Sequence, residues 1–167
     1  MPNMTMSGTV LVSIVNLIMQ VSPPAWQMEY EVRNLEASEI WLVVGESLML
    51  KHDNKQIELS YARGKMQPGV QVFGYFDPQV VKIPAGGSLR RSVEINWPCQ
   101  LSDIWNEVRE VDLSPGEYEV SVRIGFASTA KPKAPKVGED VEDPVLRWQK
   151  TAVSPPVQVV HKWSQHQ

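Results

Sequence analysis

In the run Leu113 to Phe126, LSPGEYEVSVRIGF, an extended chain carries Tyr118, Val120, Val122, Ile124 and Phe126 on one side and Glu117, Glu119, Ser121 and Arg123 on the other. An apolar residue at every second position is the period of a half-buried antiparallel strand. The pattern recurs where Trp26, Met28, Tyr30 and Val32 alternate with Gln27, Glu29, Glu31 and Arg33. It appears again where Leu89, Val93, Ile95 and Trp97 alternate with Arg90, Ser92, Glu94 and Asn96, with Arg91 on the apolar parity near the strand's wet end. Val10 to Met19 reads as a first strand, and Ile40 to Val44, apolar on both faces, as a central one. Leu48 to Leu50 and Gln56 to Tyr61 flank the turn-tolerant Asp53 and Asn54, which predicts a hairpin with Ile57, Leu59 and Tyr61 inward. Val70 to Phe76, Val80 to Ile83, Val145 to Trp148 and Val157 to Trp163 complete the expected strands.

Proline and glycine punctuate these runs at Ser22-Pro23-Pro24, Pro84-Ala85-Gly86-Gly87 and Pro115-Gly116. One segment departs from the two-residue period. Leu101 to Val108 predicts a short helical turn, capped by Ser102, with Ile104, Trp105 and Val108 on one face. Ala127 to Pro144 has prolines at Pro132, Pro135 and Pro144, with Lys131, Lys133 and Lys136 followed by Glu139, Asp140, Glu142 and Asp143. Such a segment buries too little apolar area to offset its ordering entropy, so a mobile loop is expected at 127–144. The expected architecture is one all-β domain over 1–167, an antiparallel two-sheet sandwich with one short helical turn.

Within that architecture, Tyr118 just after Pro115-Gly116 resembles the tyrosine corner of immunoglobulin-like domains, and Trp41 resembles their core tryptophan. Tyr30 and Val120 lie where the cysteine-bearing strands of such domains pass, without the paired cysteines. The resemblance implies an immunoglobulin-like sandwich with Tyr118 and Trp41 buried on facing sheets. A local stretch, IPAGGSLRRSVEINWP followed by LSPGEYEVSVRIGF over 83–126, is similar to bacterial intracellular proteinase inhibitors. That likeness implies a noncatalytic binding module and carries over no inhibitory residue.

Composition narrows the functional classes. The 19 acidic and 16 basic residues are scattered, so no broad basic surface for a phosphate backbone is expected and nucleic acid is an unsuited partner. With Cys99 the single cysteine, no intramolecular disulfide forms, which favours a reducing, cytoplasmic setting. The apolar run at Val10 lacks the basic flank and cleavage site of a signal peptide. No other stretch approaches the roughly 18 apolar residues of a membrane span, so no membrane partner is expected.

Candidate chemistry is sparse. His52, His161 and His166 lack metal-ligand spacing and read as a solvated turn and tail, so neither metal nor cofactor is expected. Cys99 reads as a packed, unreactive thiol. The acids near Glu139 and Asp140 lack the spacing and glycine of a calcium loop. No phosphate-binding loop or nucleophile elbow is present. Of six tryptophans, Trp26, Trp41 and Trp97 fall on core positions, whereas Trp105, Trp148 and Trp163 lie beside irregular segments. The expectation is therefore a noncatalytic protein that recognises another protein through loops or an edge strand. The expected surface comprises Trp105, Trp148, Lys131, Lys133, Lys136, Glu139 and Asp140, aromatic area joined to steering charge. A carbohydrate-binding module with exposed aromatics is the alternative, and a small-molecule enzyme the third reading.

Overall fold

A computed structural model describes residues 9–44, 48–63, 79–103, 106–128 and 148–163, with the side chains of 102, 103 and 106–109 excepted. These residues are all-β, with no helix among them. The strands are β1 (Val10–Val21), β2 (Pro24–Asn34), β3 (Ile40–Val43), β4 (Met49–Asp53), β5 (Gln56–Ser60), β6 (Val80–Ile83), β7 (Ser88–Asn96), β8 (Cys99–Asp103), β9 (Asn106–Val111), β10 (Gly116–Ala127), β11 (Lys150–Val153) and β12 (Val157–His161). They form a three-stranded antiparallel sheet β1-β2-β7, a larger sheet around β10, and the β8-β9 hairpin.

β10 is the spine of the larger sheet. Glu119 and Val120 pair with β12 antiparallel and with β5 in parallel, so those partners lie on opposite edges. Phe126 pairs likewise with both β11 and β3. β11 and β12 follow one another along one edge, interrupted at Ser154-Pro155-Pro156, where neither proline has an N–H to offer the ladder. Ser154 bridges the interruption: its N–H donates to the Val122 carbonyl and its Oγ accepts from the Val122 N–H, both at 2.8 Å.

Inward residues of both larger sheets share one hydrophobic core, Val12, Trp26, Met28, Tyr30 and Ile95 from the smaller sheet and Ile40, Leu42, Leu59, Val120, Val122 and Ile124 from the larger. The two-residue periods of β2, β7 and β10 face this core as expected, and Ile57, Leu59 and Tyr61 are buried. Asn54 takes a positive φ of 59° in the β4-β5 turn, a conformation asparagine tolerates well. At the other end of β2, Asn34 is fully buried among backbone groups. The Pro84–Gly87 turn beside it closes with Gly87 N–H donating to the Pro84 carbonyl at 2.9 Å, and Gly86 supplies the φ of 76° at the turn's third residue.

Four sequence expectations need correction. Cys99 to Asp103 and Asn106 to Val111 form a hairpin where a helical turn was expected; Cys99 pairs with Val111 and Leu101 with Arg109. Cys99 and Leu101 both point into the core, so burial of two residues at period two, secured by a nonlocal partner, overrides local helical spacing. Trp41 is half-buried and lies in the same sheet as Tyr118, not opposite it, because Ile40 and Leu42 take the inward parity of β3. Arg91 is half-buried opposite Tyr30, with Nη1 enclosed, rather than at a wet end. His161 is buried rather than part of a solvated tail. The expected strands at Val70 to Phe76 and Val145 to 147, and nearly all of the expected loop at 127–144, lie outside the described residues.

Candidate functional site

The outward parity of the strands around β10 makes a polar recess. At the β4-β5 turn, Asp53, Asn54, Lys55 and Gln56 meet Glu117, Glu119 and Gln158 around a volume of about 540 Å³. A second recess of about 390 Å³ shares Asp53, Gln56 and Glu119 and continues over Glu58, Ser121, Val153 and Pro156. Three strands that are distant in sequence therefore supply one continuous face. Its charges are uneven. The Arg123 guanidinium grips Glu58 through two bonds of 3.1 and 3.2 Å and donates to Thr151 Oγ1 at 2.9 Å, which ties together β5, β10 and β11. Lys51 reaches the same Glu58 at 4.0 Å. Asp53, Glu117 and Glu119 then outnumber the remaining cation described on this face, Lys55. Lys55 itself lies over the Tyr118 ring, 4.8 Å from its centroid.

Behind the recess is an aromatic interior. Tyr118 is buried, and its hydroxyl donates to the Ser114 carbonyl at 2.7 Å. Trp26 and Trp97 meet edge to face with centroids 4.7 Å apart, and the His161 ring lies 4.9 Å from Trp97 and 6.3 Å from Tyr118. The Trp26 indole N–H donates to His161 Nδ1 at 3.1 Å. An indole nitrogen only donates, so Nδ1 must be the lone-pair nitrogen and His161 is the neutral tautomer protonated at Nε2. Burial holds its pKa below the ordinary 6.5, outweighing the opposite pulls of the Asp112 charge and the Trp163 backbone. The sequence carried one signal for this arrangement: Val159 and His161 share the inward parity of β12.

Cys99 is buried, and desolvation pushes its thiol from the usual 9.0 up to about 11. Thiolate is the reactive form, so a rise of that size alone lowers its fraction about 100-fold. Native protein at pH 8 is accordingly expected to react with an aromatic disulfide reagent at least about 100-fold more slowly than urea-unfolded protein. Equal rates would place the thiol at the surface.

Of the residues expected to bind a partner, the described part of the structure contains only Trp148. It is half-buried just before β11, and the neighbouring Gln149 clasps Arg63 by accepting from its N–H at 2.8 Å and donating to its carbonyl at 2.9 Å. Gly125 lies directly beneath this clasp, where a β-carbon would collide with the Gln149 amide. Trp148 precedes β11, five residues before Val153, roughly 16 Å at strand rise, and lines neither of the two recesses. Trp105, Lys131, Lys133, Lys136, Glu139 and Asp140 lie outside the residues whose side chains are described. Trp41, Trp148 and Trp163 are half-buried, and the large exposed apolar residues among those described are all valine or isoleucine. Among the described residues no cluster of His, Cys, Asp and Glu is placed to hold a metal, and no helix is long and apolar enough to cross a membrane. Comparison with family models, with characterised proteins and with solved structures finds no match for the chain.

Proposed function

We propose that the chain is a noncatalytic interaction protein that recognises another protein through the polar recess over β5, β10 and β12. The observation that carries the reading is the continuity of two recesses on a face whose carboxylates, among the described residues, exceed its cations. Protein interfaces use such complementarity to steer encounter and fix register, and the surplus of Asp53, Glu117 and Glu119 suits a partner segment bearing Lys or Arg. The interior supports binding over chemistry, because Cys99 and His161, two candidate nucleophile or base groups, are buried away from this face. An immunoglobulin-like arrangement suits the same reading, supported by the Tyr118–Ser114 bond at the entry to β10 and by a core that both sheets share.

The test is an affinity pull-down with wild type, with Glu117→Lys/Glu119→Lys and with Trp148→Ser, each checked for native circular dichroism. A specific protein should be captured by wild type and by the Trp148 variant and lost, by at least about tenfold, with the charge-reversed pair. Capture by all three would remove the recess from the reading. A positive glycan array beside an empty pull-down would replace it with carbohydrate recognition.

A further inference from the structure

We propose that protonation of His161 releases β12 from the edge of β10, so that this strand is a pH-operated latch. The geometry leaves the proton one place to go: Nε2 already carries a hydrogen, and a proton taken from solvent must occupy the Nδ1 lone pair that accepts from the Trp26 indole at 3.1 Å. Two N–H groups then face one another in a fully buried space between Trp26, Trp97 and Tyr118. Exposing the imidazolium to water relieves both the lost bond and the desolvation.

The charges around His161 do not prevent this. From the link between β9 and β10, Asp112 favours the cation, as does the Trp163 backbone, yet burial outweighs both. Tyr118 on β10 is uncharged at neutral pH, and burial raises its pKa further. From the β4-β5 hairpin, His52 lies 6.0 Å from the Tyr118 ring, and the Lys55 ammonium lies over that ring and adds positive potential. Neighbouring Lys162 is another cation, and β1, which packs near β12, carries no titratable residue from Val10 to Val21.

Release can be confined to β12. Its only ladder partner among the described strands is β10, over Gly116 to Val120. Immediately before it, Pro155 and Pro156 offer no N–H, and the double bond between Ser154 and Val122 anchors the chain ahead of them. β11 therefore stays in place while β12 leaves. Departure bares the β10 edge, uncovers Trp26 and Trp97, and withdraws Gln158 from the recess wall.

The released strand has a histidine of ordinary pKa, near 6.5. If the latched form resists protonation, the open population rises by up to about 25-fold between pH 7 and pH 5. The experiment is strand-resolved amide exchange at those two pH values, corrected for intrinsic rates, on wild type, His161→Gln and His52→Gln. A glutamine amide in place of the imidazole would still accept from the indole but cannot titrate. In wild type and His52→Gln, protection of Val157 to His161 should fall by roughly 10- to 25-fold while Met28 to Val32 keeps its protection. In His161→Gln the fall should vanish. A fall of equal size in His161→Gln, or loss of β2 and β12 together, overturns the latch. Should that variant fail to fold, wild-type imidazole nitrogen NMR decides: a protonated Nδ1 with β12 still protected also overturns it.

Discussion

Replacing Trp26 by alanine lowers the stability of the fold by about 4 to 5 kcal/mol, read as a shift of the urea midpoint at pH 7.5 with unchanged slope. Trp26 is fully buried, packs edge to face on Trp97, and is the donor that satisfies His161 Nδ1. Its removal takes away the transfer free energy of a large aromatic ring, leaves a cavity lined by two other rings, and strands a buried acceptor. The half-buried Trp41 is the control. Its outward parity on β3 lets water or neighbouring side chains occupy the vacated space, and its truncation should cost about 1 to 2 kcal/mol. Equal losses at the two sites would mean that the core does not sit between Trp26 and β12, and the assignment of the inward faces would fall with it.

The contrast between these two tryptophans shows what the sequence made legible. Trp26 belongs to an alternating run whose polar positions, Gln27, Glu29 and Glu31, declare its wet face, so its burial follows from parity alone. Trp41 sits in IWLVV, which has no polar position to set the parity, and only the pairing of Leu42 with Phe126 decides which side faces in. Residues 101 to 108 fail for a related reason. A cap residue and a spacing of three to four outweigh a two-residue alternation as short as Cys99 and Leu101 until the partner strand β9 is known. The recess was not legible, since Asp53, Glu119 and Gln158 are ordinary outward residues that become neighbours only when β5 and β12 take opposite edges of β10. Asn34 carried a faint signal. It continues the inward parity of Trp26, Met28, Tyr30 and Val32, yet reads as the first residue of a polar connection.

At Asn34 a single added charge should destabilise the fold in a pH-dependent way. Its Nδ2 donates to the carbonyls of Ser38 at 2.9 Å, Ile83 at 3.1 Å and Pro84 at 3.2 Å, while its Oδ1 accepts from the Glu36 N–H at 2.9 Å. Its own backbone bonds Gly87 and Gly86 at 2.9 and 2.8 Å, so one residue joins the β2–β3 connection to the β6–β7 turn. Asn34→Asp keeps the volume and the acceptor but turns the donor into a second oxygen facing three carbonyl oxygens. The fold then favours the protonated acid, raising the pKa of the introduced carboxyl above its unfolded value of about 3.9. The sign follows from linkage: below about pH 3.9 both states hold the proton and the deficit is small, and as pH rises toward the folded pKa the unfolded state loses its proton first and gains stability. Relative to wild type at each pH, the deficit should grow from about 1 kcal/mol at pH 4 to about 3 kcal/mol at pH 7. Asn34→Ala, which leaves the Glu36 N–H and the carbonyls without their partner, should lose about 2 to 4 kcal/mol with no such growth. Urea titrations of the three proteins at pH 4, 5.5 and 7 decide the matter. A deficit for Asn34→Asp that stays flat across that range would show that water reaches the site and that the buried junction does not hold these two turns together.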